Sequence, residues 1–257
     1  MRIVIKLSSN DNNPVIIPIH YNHLIQSAIY ATLDKTLAEF LHNTGYESGG
    51  RRFKLFTFSR LAGNYRFNPS TAEMTYIPPI NLVVSSPFKE FCQSLVNGLL
   101  ARNYVRIGSS AFVVQEVKVD RPLVVTEKTN PHIETEIRVK TLSPIVVYST
   151  LLRPEGSKYT CYFQPGESDF SRLINENLFK KYKAIFGDTP PEGKVKIKPL
   201  QQSKLQIIRY KNFMIKGYSA LLSMNGPASL LQVAVDAGLG AKNSMGFGLL
   251  EIIDKKR

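Results

Sequence analysis

The stretch GLGAKNSMGFG, residues 238–248, joins a helical pattern to a strand pattern that covers residues 249–253. Its four glycines surround a polar and basic centre, Lys242-Asn243-Ser244. Glycine permits a positive φ and lets a ligand approach backbone N–H groups closely, so a loop of this kind suits a phosphate group. We therefore predict that the loop contacts phosphate through Gly240, Lys242, Asn243, Ser244 and Gly246. The alternative is a turn whose glycines serve only the backbone geometry.

The loop does not have the residue order of the common nucleotide-binding loops. A dinucleotide-binding loop would have glycine at position 243, where asparagine stands, and would follow a strand. A triphosphate-binding loop ends in Gly-Lys-Ser/Thr, whereas Met245 precedes Gly246 here. The two cysteines, Cys92 and Cys161, do not make a zinc site. We therefore expect neither a cofactor nor a bound metal ion.

The composition indicates a globular protein with a polyanionic partner. Of the 257 residues, 43% are hydrophobic and 21% are charged, which is enough for a real core. Lysine and arginine outnumber aspartate and glutamate by 33 to 20, which gives a net charge of +13. This surplus points to RNA, DNA or an acidic membrane, and a merely basic protein is the alternative. No apolar run approaches the roughly 20 residues of a membrane span, so we expect no membrane partner and a cytoplasmic protein.

The periodicities at the other end of the chain predict one complete unit over residues 1–120. Residues 2–7 alternate as in a strand, with Ile3, Ile5 and Leu7 on one face, and helical spacing follows. The further elements are a short helix capped by Asp34, strands at 53–59, 74–77 and 80–85, a helix that starts at Ser86-Pro87, and a strand at 111–119. The order strand, helix, strand, strand, helix, strand is that of the ferredoxin-like fold, which also builds RNA-recognition modules.

The same order recurs after a proline-containing polar linker at 121–131. Strand alternation resumes at 133–140, and a helix capped by Ser168 follows a hairpin insertion at 150–166. Strands at 194–209 and 213–222, a helix from Pro227, the glycine-rich loop and the final strand complete the unit. The sequence therefore predicts an α+β protein with two tandem ferredoxin-like (RRM-like, βαββαβ) domains, at 1–120 and 132–257.

Several stretches, in a fixed order along the chain, carry a family resemblance. They are YNHLIQSAIY (21–30), FLH (40–42), RRFKLFTFS (51–59), LVNGLL (95–100), TLSPI (141–145) and the loop at 238–248. With these stretches the chain resembles, along essentially its whole length, the CRISPR-associated repeat-processing endoribonucleases of the RAMP superfamily. That family has two ferredoxin-like domains in tandem, which agrees with the order of elements above.

The resemblance implies a function and a mechanism. Family members cut a long CRISPR precursor transcript within each repeat, and in well-studied members this needs no metal ion. The ribose 2′-hydroxyl attacks the adjacent phosphate and leaves a cyclic phosphate and a 5′-hydroxyl, which calls for a base, an acid and positive charge. The alternative is a non-catalytic RNA-binding member that only holds the guide RNA. A metal-dependent nuclease is disfavoured because the sequence shows no close acidic cluster.

Three catalytic residues follow from the resemblance. His42 matches the family histidine at the end of the first helical region and is expected to act as general acid or base. Tyr30 matches a tyrosine that would position or assist the proton transfer, and Lys54 matches a lysine that would stabilise charge on the phosphate. His23 is the nearest alternative to His42. From the pattern alone, the competing interpretations are that His42 caps the helix, that Tyr30 only packs against a neighbour, and that Lys54 only contacts RNA.

RNA contacts are expected in both halves of the chain. Arg51 and Arg52 lie next to the predicted site, and Lys194, Lys196 and Lys198 alternate, so that all three project from one face of a strand. Such contacts give affinity and salt dependence without sequence choice, and a solvated charged face is the alternative. The expected partner is CRISPR repeat RNA in the precursor transcript. Monomer or homodimer, and membership of a multi-subunit interference complex, stay open.

Overall fold

We describe the fold from a computed structural model, which covers residues 1–121 and 134–253. The predicted linker at 121–131 lies outside the described residues except for Arg121, and so do residues 132 and 133 of the predicted second domain. No helix within the described ranges has both the length and the apolar character needed to cross a bilayer.

The first half of the chain builds a strand-rich sheet. Its helices are α1 (Asn22–Thr32), α2 (Lys35–Asn43) and α3 (Lys89–Arg102). Its strands are β1 (Arg2–Ser8), β2 (Val15–Pro18), β3 (Tyr46–Ser48), β4 (Arg51–Phe53), β5 (Thr57–Phe58), β6 (Ala62–Asn68), β7 (Glu73–Ser85), β8 (Tyr104–Ile107) and β9 (Ser110–Asp120). β7 pairs with β1 on one side and with β5 and β6 on the other, and β1 pairs in turn with β9. These pairings are antiparallel, and the spatial order β5–β7–β1–β9 is that of a ferredoxin-like sheet.

The second half repeats this arrangement. Its helices are α4 (Ser168–Phe186) and α5 (Ala228–Ala237). Its strands are β10 (Glu134–Thr141), β11 (Tyr148–Leu152), β12 (Lys158–Tyr162), β13 (Lys196–Pro199), β14 (Lys204–Tyr210), β15 (Phe213–Ser219), β16 (Leu221–Pro227) and β17 (Leu250–Ile252). The sheet order β13–β16–β10–β17 is again the ferredoxin-like order, and all of its pairings are antiparallel. The hairpins β11–β12 and β14–β15 stand apart from this sheet.

Each half has its own apolar core, as the alternating patterns predict. Ile3, Ile5 and Leu7 of β1 are buried in the core that the first half shares with α1 and α3. Ile137 and Val139 of β10 are buried in the core that the second half shares with α4 and α5. A period of two puts every second side chain on the helix-covered face, so the alternating apolar side chains of each strand enter the core of their own half.

The predicted strand at 53–59 is wrong in its middle. β4 ends at Phe53, β5 contains only two residues, and Leu55 between them has a positive φ of 50°. The reason lies in the packing: Leu55 belongs to the core of the second half, whereas the next side chain, Phe56, belongs to the core of the first. The chain turns at this point so that two neighbouring apolar side chains can reach different cores.

Other boundaries differ from the prediction for local reasons. The predicted strand at 213–222 is divided at Ala220, because its N–H and its carbonyl oxygen bond to Thr141. The predicted strand at 194–209 is likewise divided, since β13 ends at Pro199 and β14 pairs only with β15. The predicted caps are displaced: α3 begins at Lys89 rather than at Ser86-Pro87, and Ser168 is the first residue of α4 rather than its cap.

The two halves are joined by buried polar contacts. The guanidinium group of Arg2 donates to the carbonyl oxygen of Leu250 at 2.5 Å, and burial lowers the pKa of Arg2. The terminal ammonium group of Met1 lies 3.0 Å from a carboxylate oxygen of Asp236 at the end of α5. The first contact joins β1 to β17, and the second fixes the end of α5, and with it the start of the glycine-rich loop, against the first half.

Candidate functional site

The glycine-rich loop fills the space between the two halves. Gly246 has a φ of +84°, and an added Cβ would overlap the ring of Phe58 and the side-chain amide of Asn22 in the first half. At Gly240 an added Cβ would lie 2.5 Å from the carbonyl oxygen of Val146. The glycines are therefore needed for close packing as well as for backbone geometry. The need for backbone geometry is what the alternative interpretation, a simple glycine-rich turn, also predicts.

Helix α1 holds the loop from the side of the first half. Asn22 Nδ2 donates to the carbonyl oxygens of Met245 and Gly246, at 2.9 and 3.2 Å. One turn later, Gln26 Nε2 donates to the carbonyl oxygen of Ser244 at 2.7 Å, while Gln26 Oε1 accepts from the hydroxyl of Tyr210. One further turn along the same face lies Tyr30, because residues four apart share a helix face.

A cleft of about 450 Å³ opens beside these contacts. It contains all three residues predicted to be catalytic, together with side chains from the loop and from the tip of the β14–β15 hairpin. Its lining residues are Gln26, Ser27, Tyr30, His42, Lys54, Lys211 and Ser244. We call this space the catalytic cleft, because the residues predicted to be catalytic line it.

The sequence at the end of α2 explains why His42 faces the cleft. Asp34 caps the first turn of α2, where its carboxylate accepts from the N–H groups of Thr36 and Leu37, as predicted. The helix ends at Asn43, and Gly45 follows with a φ of +65°, which lets the chain reverse into β3. His42 is thus exposed in the last helical turn, where the helix dipole favours a positive charge.

The three side chains are close enough to act on one ligand. The rings of Tyr30 and His42 meet edge to face, with centroids 6.3 Å apart. Lys54 Nζ donates to the carbonyl oxygen of His42 at 2.8 Å and so satisfies one of the carbonyl groups left free at the end of α2. His42 Nδ1 lies 2.8 Å from Asn43 Oδ1. Because an amide oxygen only accepts, Nδ1 is the donor, and in the neutral form of the imidazole Nε2 then carries the lone pair.

Burial changes the acidity of two of these groups. Tyr30 is half-buried and packs against Phe56, and this burial, with a smaller contribution from Tyr210, raises the pKa of Tyr30 to about 12. The phenol therefore keeps its proton at neutral pH. Burial, and to a lesser degree the nearby Arg52, lowers the pKa of Lys54.

A second, larger cleft of about 600 Å³ continues from the first and shares Lys54 and Ser244 with it. Arg51, Arg52 and Lys242 line it, and none of the described residues that line it carries a carboxylate. Lys242 Nζ lies 5.1 Å from the centre of the Tyr148 ring, in a cation–π contact. The two clefts together form a continuous basic channel, which suits a phosphodiester chain.

The remaining predicted RNA-binding residues lie elsewhere or are occupied. Lys196 and Lys198 belong to β13 and Lys194 precedes it, and all three are exposed, but none lines either cleft. Gly240 and Gly246 are buried, and the N–H of Gly246 already donates to the carbonyl oxygen of Asn243. These assignments stay predictions. His23, the alternative to His42, is half-buried against Tyr210 and does not line the catalytic cleft.

Sequence reasoning gave no specific role to three residues that shape the site. Gln26 and Lys211 line the catalytic cleft, and Lys181 of α4 donates hydrogen bonds to carbonyl oxygens of the glycine-rich loop. Lys181 had a detectable signal, because it is a lysine at a position where the helical spacing of Ile174, Leu178 and Ile185 predicts an apolar side chain. Within the described part of the chain, no three His, Cys, Asp or Glu side chains form a group that could hold a metal ion.

Comparison with known proteins gives consistent matches over both halves. Residues 16–118 match the family model for the N-terminal part of the CRISPR-associated protein Cas6, and residues 126–252 match the model for its C-terminal part. The CRISPR-associated endoribonuclease Cas6 1 of Methanocaldococcus jannaschii is 30% identical over 100% of this chain and 94% of its own. The CRISPR-associated endoribonuclease Cas6 of Pyrococcus furiosus is 28% identical over 100% of this chain and 91% of its own.

Solved structures agree with these matches. The structure of a Cas6-related protein from Pyrococcus furiosus aligns with a TM-score of 0.82 and 25% identity, over 100% of this chain and 99% of that chain. A structure of a CRISPR associated protein Cas6 aligns with a TM-score of 0.77 and 27% identity, over 99% of each chain. The tandem ferredoxin-like architecture is therefore shared with these proteins along the whole described chain.

Proposed function

Because the chain belongs to the Cas6 family of CRISPR-associated proteins, we propose that it is an endoribonuclease that cuts CRISPR repeat RNA in a precursor transcript. The observation that supports this most directly is the convergence of Tyr30, His42 and Lys54 on one cleft that opens into a basic channel. A proton acceptor, a proton donor and a cation within reach of one phosphate are what RNA cleavage without a metal ion requires. The proposed product is a mature guide RNA, formed in the cytoplasm.

The reaction that we propose is an internal transesterification. The ribose 2′-oxygen loses its proton and forms a bond to the adjacent phosphorus, while the bond from phosphorus to the 5′-oxygen breaks. The 5′-oxygen gains a proton, so the products are a 2′,3′-cyclic phosphate and a 5′-hydroxyl. No water, metal ion or cofactor enters this balance.

We assign the proton transfers from the hydrogen bonds of the free site. In the neutral form of His42, a proton on Nδ1 that is directed to Asn43 leaves Nε2 available to accept the proton of the 2′-hydroxyl. Tyr30 keeps its phenolic proton at neutral pH and is available to donate to the leaving 5′-oxygen. Lys54 uses one donor on the carbonyl oxygen of His42 and has two left for the phosphate oxygens.

The first test is single-turnover cleavage of a CRISPR repeat RNA in EDTA. The wild type should cut once per repeat, a substrate with 2′-deoxyribose at the scissile position should bind without being cut, and His42→Ala should slow cleavage by about 10²-fold or more. His23→Ala serves as the comparison and should cut at the wild-type rate. Cleavage that requires Mg²⁺ would overturn the proposed mechanism.

A substrate with a bridging 5′-sulfur separates the two proton roles. A thiolate leaves without taking up a proton, so Tyr30→Phe should cut this substrate at nearly the wild-type rate, whereas His42→Ala should stay slow. The opposite pattern would exchange the two roles. A wild type that binds repeat RNA tightly and never cuts it would instead support the non-catalytic RNA-binding alternative.

A further inference from the structure

Lys181 is a fully buried lysine whose side chain ends on the glycine-rich loop. It is only 1% exposed, and its Nζ donates to the carbonyl oxygens of Gly238 and Gly240, at 2.6 and 3.0 Å. A third hydrogen bond, 2.7 Å long, goes to Asn243 Oδ1. An ammonium group has three donors, so this geometry satisfies all of them.

The same contacts hold the loop together from within. Asn243 Nδ2 donates to the carbonyl oxygens of Leu239 and Phe247, at 3.3 and 3.0 Å. Lys181 and Asn243 therefore tie the beginning, the centre and the end of the loop to one point. Without the lysine, three oxygen atoms that are shielded from water would lose a partner, and the loop would rearrange to recover one.

Stability alone does not explain a lysine at this position. Burial of an ammonium group opposes folding, and an apolar side chain of similar size would fit the apolar stripe of α4 without that cost. No described residue around the larger cleft carries a carboxylate that would compensate the charge. The charge is favoured by the three oxygen acceptors and by Gly238, which ends α5, because a cation is stabilised at a helix C-terminus.

We propose that Lys181 is a positioning residue for RNA cleavage, which holds the glycine-rich loop in the shape that presents Lys242 and Ser244 to the RNA. This inference rests on the proposed function. Ser244 lies in the catalytic cleft beside Tyr30, and its carbonyl oxygen accepts from Gln26 on the same face of α1. The hydrogen bonds thus run from Lys181 through the loop to the helix face that carries Tyr30.

The test compares Lys181→Met with Lys183→Met, which changes an exposed lysine of the same helix. Affinity is measured with 2′-deoxy repeat RNA, cleavage at saturating protein, and loop order by hydrogen exchange of residues 238–248. For Lys181→Met we expect a saturated cleavage rate lower by about 10- to 100-fold, the usual size of a positioning effect, and a smaller loss of affinity. Exchange should become faster in the loop while α4 stays protected.

Asn243→Ala provides a second variant in case Lys181→Met does not fold, because it removes the central acceptor and leaves the lysine in place. It should show the same pattern of slow saturated cleavage and fast loop exchange. An unchanged saturated rate, or unchanged loop exchange, in a folded variant would overturn the inference even if the wild type cuts RNA. A wild type that cuts no repeat RNA would overturn the proposed function, and hydrogen exchange would still report whether the loop depends on Lys181.

Discussion

Lys54 Nζ donates a hydrogen bond of 2.8 Å to the main-chain oxygen of His42, so the lysine lies at the end of the helix that carries the histidine. The bond has two consequences. It satisfies a carbonyl group at the end of α2, and it brings a cation next to the site where the phosphate would bind. The position of the histidine and the position of the lysine's ammonium group therefore depend on one contact.

Replacing Lys54 with methionine should slow cleavage by about 10²-fold, the cost of losing one charged donor to a transition-state oxyanion. Lys54→Arg should recover part of the rate, because it keeps the charge but not the geometry of the bond to His42. Single-turnover rates with repeat RNA check this, with Lys35→Met as the control, since that lysine is exposed at the start of α2. A Lys54→Met enzyme that cuts like wild type would remove Lys54 from the site.

Asn43 should matter through the tautomer of His42. Asn43→Ala removes the acceptor of the Nδ1 proton, so we expect cleavage about tenfold slower, a part of the roughly 10²–10⁴-fold contribution of a general base. Asn43→Asp keeps an acceptor and should cut at least as fast as wild type near neutral pH. Equal rates for all three proteins would show that this hydrogen bond does not orient the imidazole.

Substitutions of Gly246 and Gly156 distinguish the effect of close packing on stability from the effect of backbone strain. Their φ values are nearly equal, +84° and +83°, but an added Cβ at Gly246 overlaps Phe58, whereas at Gly156 it meets nothing within 4 Å. Gly246→Ala should lower the free energy of unfolding by about 2–4 kcal/mol, and Gly156→Ala by about 1 kcal/mol. Urea denaturation of the two variants checks this. Equal losses would mean that the loop gives way to the added methyl group.

Lys181 should make stability depend on pH. Burial lowers its pKa to about 7 in the folded protein, whereas a lysine in an unfolded chain titrates near 10.4. Between these values the unfolded state binds more protons, so the free energy of unfolding rises with pH. The contribution of Lys181 to this free energy is complete above about pH 10.4 and is lost as pH falls towards 7. The unfolding free energy of wild type relative to Lys181→Met should therefore rise with pH, by at most about 1.4 kcal/mol per pH unit.

Urea titrations at several pH values between 7 and 10 measure this difference. The other titratable groups around the larger cleft are Arg51, Arg52, Lys54, Tyr148 and Lys242, and they are present in both proteins, so their contributions cancel. The difference between wild type and Lys183→Met should not change with pH. A flat difference for Lys181→Met as well would mean that the three oxygen acceptors keep the lysine protonated throughout.

The sequence alone was sufficient for the architecture. Alternation in β1 and β10, helical stripes and the order of elements depend on short-range periodicity, and the periodicity of buried side chains is a local property of the chain. The same holds for Asp34, which caps α2 because the acceptor and its N–H partners are two and three residues apart. The predicted element boundaries are wrong where a distant contact decides them. One example is Ala220, where a hydrogen bond to Thr141 interrupts the predicted strand.

The tertiary structure alone decided which residues share the site. Leu55 and Phe56 are adjacent and equally apolar, yet they enter different cores, and the resulting turn is what brings Lys54 to the end of α2. The sequence shows only that Lys181 lies on the apolar stripe of α4, and the packing of α4 against the glycine-rich loop makes it a buried donor to residues about 60 positions away. Hydrogen bonds between distant segments leave no periodic trace, because their partners are chosen by the packing of whole helices and sheets.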